Sequence, residues 1–432
     1  MVSAALPPAD WSQRADLAEL LIALGPGTAR YVGGAVRDTL LGLAVKDIDL
    51  ATTLAPREVM RRLKAHGIHV IPTGIDHGTV TAVLAGSPVE ITTLRHDVST
   101  DGRRAKVAFA HDWREDAARR DFTINALYAD PVSGEIWDYF GGLDDLASRR
   151  VRFIGDPHAR IREDHLRILR YFRFQARFGS QPADKIAEHA CADLAATLKG
   201  LSRERVGMEV LNLLALPDPA PTVARMAELG VLQVVLPEAD VAGLAALVAE
   251  EAKQGVEPDS IRRLAALLPA NVPLAEQIAA RIRLSGAQKK RLALAAGRDE
   301  EKFPPLRRWP AESGPEGAHD QALPFSPLPS TVPAATSPND GALSEARTLA
   351  YYLGLTPALD RLLLSGHSIA PLTGWTIPAF PLKGGQIVAR GISAGPQVAR
   401  IRKIVEARWV AEGFPDPARV IALLDAALAD AA

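Results

Sequence analysis

Gly33-Gly34-Ala35-Val36-Arg37-Asp38, followed shortly by Lys46-Asp47-Ile48-Asp49-Leu50, is the stretch whose reading decides the fold. A β-rich run, Ala29 to Val32, enters the Gly-Gly pair and a helical pattern leaves it. Backbone N–H groups at such a strand-to-helix turn suit an anion such as a triphosphate. Arg37 would add a charge-assisted clamp. In the second segment the two-residue period of a strand puts Asp47 and Asp49 on one face, with Ile48 and Leu50 on the core face. Two carboxylates side by side repel, and a hard divalent cation with oxygen ligands compensates them; magnesium is the usual ion when phosphates complete its shell. Glu90, in Val89-Glu90-Ile91-Thr92 after a turn at Gly86-Ser87, is a candidate third carboxylate. Sheet register decides whether it joins the pair or stays an exposed strand residue.

Outward from this core, short β-rich runs alternate with turn residues at 29–32, 48–51, 69–72, 79–85, 89–94 and 135–139, and a helix is expected to start at Pro56. After Gly141-Gly142 the pattern turns helical and stays so to about Gly297, and a last helical unit follows from about Leu343. The expected class is therefore α+β: an N-terminal mixed sheet with helices, then an all-α remainder. The division expected is a sheet-bearing unit over 1–140, helical segments over 141–215 and 216–302, a proline-rich linker or insertion over 303–341, and a last helical unit over 342–432.

At 432 residues the chain exceeds one ordinary core. No apolar stretch is long enough for a membrane span, and no basic-then-apolar leader occupies Met1 to Asp10. With a single cysteine, Cys191, no internal disulfide can form, which fits a reducing cytoplasm. The net charge of −1 means that any surface for nucleic acid must be local. No obligatory protein partner is implied.

Downstream, Arg119-Arg120-Asp121-Phe122-Thr123-Ile124-Asn125-Ala126 reads as a basic turn before an apolar segment. From Ile161 to Arg177 one continuous helix is expected, with Ile168, Leu169, Phe172 and Ala176 on its apolar arc and Asp164, Arg167, Arg170, Arg173 and Arg177 elsewhere. Asp164 and Arg167 would then lie one turn apart.

A Gly-Gly turn followed by Asp-x-Asp on a strand resembles the polymerase-β-like nucleotidyltransferases. With Arg119-Arg120-Asp121 and Glu163-Asp164-x-x-Arg167 in order, the chain resembles class II CCA-adding tRNA nucleotidyltransferases and bacterial poly(A) polymerases. Gly155-Asp156-Pro157, Arg160 and the Ser202-Arg203-Glu204-Arg205 helix start, with Ser202 as N-cap, resemble that family's neck. The resemblance implies a palm-type head, then neck, body and tail. It implies magnesium held by Asp47 and Asp49, nucleotide contacts from Gly33, Gly34, Arg37, Arg119, Arg120, Asp121, Asp164, Arg167, Arg170 and Arg173, CTP and ATP as substrates, and tRNA as partner. It leaves Asp49 and Glu90 as alternatives for a protein base.

Base reading by side chains has a direct rationale. A carboxylate accepts from the amino group shared by cytosine and adenine, and a guanidinium donates to the ring acceptor beside it. Uracil and guanine present the reverse pattern. Thr73 to Val80 resembles the CCA-adding form more than poly(A) polymerase, and Leu94 to Asp112 resembles the mobile loop of full CCA-adding enzymes. An A-adding specialist shares most of these motifs. A small-molecule nucleotidyltransferase would not need the helical extension. Arg390, Arg400, Arg402, Lys403 and Arg408 are tail candidates for RNA backbone contacts.

Overall fold

The six predicted β-rich runs, joined by one further short strand, form a seven-stranded mixed sheet. Its strands are β1 (Ala29–Val32), β2 (Ile48–Thr52), β3 (His69–Gly74), β4 (Thr79–Val83), β5 (Pro88–Thr93), and, after a separate two-stranded ribbon of β6 (Arg95–Asp101) and β7 (Arg104–Phe109), β8 (Leu127–Ala129) and β9 (Ile136–Asp138). The large sheet has the order β3-β4-β5-β2-β1-β8-β9; only β2 and β5 run parallel. The structure, a computed structural model, describes residues 5–101, 104–109, 112–299 and 338–430, and side chains within these except at 96–111, 299 and 338–342. It divides into two units, Met1–Val241 and Ala242–Ala432.

In the first unit, α1 (Ala15–Leu24), α2 (Gly34–Leu40), α3 (Pro56–Ala65) and α4 (Trp113–Ala118) are interleaved with the strands. Seven helices follow: α5 (Gly142–Ala147), α6 (Pro157–Glu163), α7 (Arg167–Phe178), α8 (Lys185–Asp193), α9 (Arg203–Leu214), α10 (Ala220–Glu228) and α11 (Val231–Val235). Pro56 stands in the first turn of α3, where its missing N–H has no intrahelical acceptor to lose. The described part of the second unit is helical, from α12 (Val241–Gln254) to α20 (Pro417–Ala429). One of its cores packs Leu382, Ile401, Val405, Trp409 and Leu424.

The structure departs from expectation in five places. Leu94 to Asp112 is largely a β-hairpin, paired from Arg95↔Phe109 to Asp101↔Arg104, because antiparallel pairing satisfies backbone groups that a loop would leave to water. Gly102 and Arg103, and most of the proline-rich segment, lie outside the described residues; α16 (Pro338–Leu353) is already helical from Pro338. The expected helix over 161–177 is two helices. Asp164 adopts extended angles (φ −148°, ψ 104°) and its Oδ1 accepts from the Leu166 N–H at 3.1 Å, so a side-chain turn competes with the helix there. Strand β8 was not foreseen. Ser202 occupies the N-cap of α9 without a side-chain capping bond.

The buried face of α7 is wider than the predicted arc, taking in Ile168, Leu169, Tyr171, Phe172, Phe174, Gln175 and Phe178. Phe122, from the Arg-Arg-Asp segment, packs among Phe153, Tyr171 and Phe174. This aromatic core fixes the neck helix against the head within the first unit.

Candidate active site

Strand β2 runs beside β5 with Asp49 opposite Glu90, so the two carboxylates share one face of the sheet. Asp47, just ahead of β2, is exposed. The Asp49 carboxyl is pushed up to about 6, first by burial, then by the charge of Glu90, with Asp47 adding and Arg120 opposing. That crowding of like charges is what a divalent cation would relieve. Among the described residues no three His, Cys, Asp or Glu side chains form a metal-holding group. Magnesium does not require one, because it is commonly held by one or two carboxylates together with substrate phosphates. Asp47 and Asp49 fit that donor set.

The diglycine turn sits directly behind the Arg-Arg-Asp segment. Gly33 has φ +68°, and a Cβ placed on it would lie 3.4 Å from Arg120 Nη1. Arg120 is anchored by Asp116, with Nη2 to Oδ2 at 3.2 Å, and its Nε donates to Tyr128 Oη at 3.1 Å. Tyr128 donates in turn to Asp116 at 2.6 Å, and Arg119 Nε donates to the other Asp116 oxygen at 2.8 Å. Burial would raise the Asp116 carboxyl, but the charges of Arg120 and Arg119 and the Tyr128 hydrogen bond outweigh it and hold it at about 2.

From here the contacts run into the neck. Arg160 Nη2 donates to the Arg120 carbonyl at 3.3 Å, and Arg167 Nη2 to the Arg119 carbonyl at 3.1 Å. Asp121 receives Arg170 twice on Oδ2, at 2.9 and 2.6 Å, and Asn125 Nδ2 on Oδ1 at 3.0 Å. Burial would raise Asp121 as well; Arg170 and Asn125 bring it down to about 2. Glu209 on α9 accepts from Arg173 at 2.7 Å and lies 3.7 Å from Arg170.

Several expected residues stand differently from the simple sequence picture. Arg37 is buried; it pairs with Asp38, donates to Asn125, and lies 4.1 Å from the centroid of the Phe178 ring. Through these contacts it locks the turn onto α7. Asp164 and Arg167 do not pair with each other: Asp164 Oδ2 accepts from Arg205 at 2.8 Å, and Arg167 Nη1 donates to Glu163 at 2.6 Å. Their spacing is kept by a turn, with the Arg167 N–H donating to the Asp164 carbonyl at 3.0 Å. Of the tail candidates, Arg390 pairs with Asp425, Arg408 with Asp430 at 2.8 Å, and Arg402 lies over Phe380; Arg400 and Lys403 are exposed.

Asp116, Asn125, Tyr128 and Glu209 were missed by sequence reasoning. Their one available signal was the polar character of Asp116 and Asn125 beside the Arg-Arg-Asp segment.

A mixed sheet with facing carboxylates, joined through an Arg-Arg-Asp turn to an arginine-bearing helix, defines a nucleotidyltransferase head on a helical neck. Residues 29–152 match the family described as the Poly A polymerase head domain, and residues 184–242 the family described as the probable RNA and SrmB-binding site of polymerase A. CCA tRNA nucleotidyltransferase 1, mitochondrial, of Danio rerio is 33% identical over 399 residues, spanning 88% of this chain and 83% of that one. Its Homo sapiens counterpart is 32% identical over 388 residues, spanning 89% and 83%. The chain belongs to the CCA tRNA nucleotidyltransferase family. Among solved structures, the Bacillus stearothermophilus CCA-adding enzyme in complex with CTP superposes with a TM-score of 0.63 at 25% identity, over 92% of each chain. The Thermotoga maritima CCA-adding enzyme complexed with tRNA shares the fold, with a TM-score of 0.63 at 18% identity over 94% of this chain and 92% of that one. No helix among the described residues is long and apolar enough to cross a membrane.

Proposed function

We propose that this chain adds or repairs the 3'-terminal CCA of tRNA, taking CTP and ATP and releasing pyrophosphate. The observation that carries the reading is the position of Arg120. Its guanidinium lies against the Gly33 turn and influences Asp49, while the carbonyls of Arg119 and Arg120 receive arginines of the neck. One nucleotide held at this junction meets the acidic strand with its phosphates and the neck with its base.

Magnesium at Asp47 and Asp49 would lower the pKa of the attacking tRNA hydroxyl and neutralise charge on the leaving pyrophosphate. Glu90, opposite Asp49, keeps that strand face acidic. The Gly33 N–H is donated to the Leu127 carbonyl at 3.2 Å, so the helix start from Gly34 onward supplies the backbone donors for the triphosphate, and Arg120 adds a cation preorganised by Asp116 and Tyr128. Asp121 and Asn125 hold Arg170 and the turn in register. Asp164 retains lone pairs for an exocyclic amino group, and Arg167 presents donors beside it. Misplaced donors and acceptors of the wrong base would cost about 1–3 kcal/mol each.

In this reading 141–215 forms the neck, 216–302 the body, and 342–432 a tail that follows the RNA backbone through exposed groups such as Arg400 and Lys403. A reducing compartment such as the cytoplasm fits the lone buried Cys191. Incubation with labelled CTP and ATP on tRNA ending before the first C, before the second C, and before A tests the function. Ordered incorporation of C, C and A is expected; incorporation of A alone, or of long A tracts, would replace this reading.

A further inference from the structure

The sheet face that carries Asp49 and Glu90 does not end at β2. Pairing of Arg30 with Ala51, Val32 with Tyr128, and Tyr128 with Trp137 puts Arg30, Tyr128 and Trp137 on the same face as the carboxylates. There Arg30 is sandwiched between two indoles, its Cζ 4.1 Å from the Trp113 ring centroid and 3.4 Å from that of Trp137. Its Nη1 donates to Tyr139 Oη at 3.1 Å. Trp113 and Tyr139 each meet Tyr128 edge-on, at 5.7 and 6.1 Å between centroids, and Tyr128 is the residue that accepts from Arg120.

The interior beneath is closed by Val32, Ala51, Ala117, Ala126 and Tyr128, whereas Trp113, Trp137, Tyr139 and Arg30 are only half-buried at its rim. A guanidinium stacked between aromatic planes at a wet surface gives flat, cationic area, which is the chemistry by which single-stranded nucleic acid is bound through its bases and backbone together. From β2 to β9 is three strand spacings, about 14 Å, a distance that a few unpaired nucleotides span.

We propose that Trp113, Arg30 and Trp137 form a stacking platform for the unpaired 3' nucleotides of the tRNA, positioning the terminal hydroxyl toward Asp49. This rests on the function proposed above and names where its polynucleotide substrate is gripped. These are positioning residues: they act on the end of the RNA and not on the reacting phosphate.

The test compares two tRNAs without added nucleotide, one ending in its second C and one trimmed back to its paired acceptor end. Wild-type protein should bind the first about tenfold more tightly, the range expected from stacking one base. Trp137→Leu and Trp113→Leu should reduce that ratio to near one, and Trp137→Phe should retain most of it. In the addition assay the Leu variants should raise KM for tRNA about tenfold while leaving KM for CTP unchanged. A ratio that persists in folded Leu variants overturns the proposal. If those variants do not fold, tryptophan fluorescence of wild type decides: quenching by the CC-ended tRNA beyond that by the trimmed one, diminished in Trp137→Phe, is expected, and equal quenching overturns it. Wild-type protein that adds C, C and A without the binding ratio refutes the platform alone. Protein that shows the ratio but adds nothing refutes the function and keeps the platform.

Discussion

Arg170 on the neck helix places both Nε and Nη2 on one carboxylate oxygen of Asp121, at 2.9 and 2.6 Å, across 49 positions of sequence. The pair fastens α7 to the turn that carries Arg120. Asp121 is thereby committed to a protein partner before any nucleotide arrives.

Removing one side of this pair leaves the other charge without its partner. Arg170→Ala is expected to lower unfolding free energy by roughly 2–4 kcal/mol, toward the lower end of the usual range because Arg170 keeps some contact with water. Urea denaturation checks it; a change near zero would show the pair to be dispensable.

Acid should act on the same part of the molecule through Asp116. Its folded value of about 2 lies below the ordinary 3.8, so its stabilising contribution is complete above about pH 4 and is lost as pH falls through 2. That contribution is about 2 kcal/mol. Asp116→Asn should therefore be less stable than wild type at neutral pH, and the gap should close between about pH 4 and pH 2. A constant gap in denaturant melts across that window would contradict the assignment.

At Gly33 a side chain meets two obstacles. Its φ of +68° disfavours any L residue, and the new Cβ would press on Arg120 from 3.4 Å. Gly33→Ala is expected to lower stability by about 1–2 kcal/mol. Displacement of Arg120 should also lower kcat about tenfold or more. Unchanged kinetics would show that the turn does not position Arg120.

Asp49→Asn and Asp47→Asn should each lower CTP incorporation by more than about a hundredfold, with tRNA binding preserved. Raising the magnesium concentration should recover part of the loss if one carboxylate remains a ligand. Incorporation at wild-type rate would remove these residues from the metal site.

Arg167→Ala should admit UTP and GTP, since removing its donors takes away contacts that wrong bases fail to match. Relative incorporation of the four nucleotides onto tRNA lacking CCA measures this. Unaltered selection would place base reading elsewhere.

The turn into α2 and the strand carrying Asp49 were legible because their information is local: alternation, a Gly-Gly pair and flanking polar residues lie within a few positions. The parallel pairing that brings Glu90 opposite Asp49 is a fact of register and could only be left open. Arg37 and Asn125 meet across 88 positions, and Arg173 and Glu209 across 36, so nothing near Arg37 shows that its guanidinium is already taken. Helical periodicity also overreached at Asp164, where one side-chain hydrogen bond to Leu166 outcompetes helix continuation. The hairpin after Leu94 was hidden by its charged, glycine-containing composition, which reads as a loop.

A crystal structure of the protein with CTP and magnesium, on crystals lacking tRNA, tests the junction at Arg120 most directly. The triphosphate should lie between the Gly33-Gly34 turn, the Asp47 and Asp49 carboxylates and Arg120, with the cytosine edge at Asp164 and Arg167. Cytosine bound away from the neck while the phosphates sit on the acidic strand would contradict it.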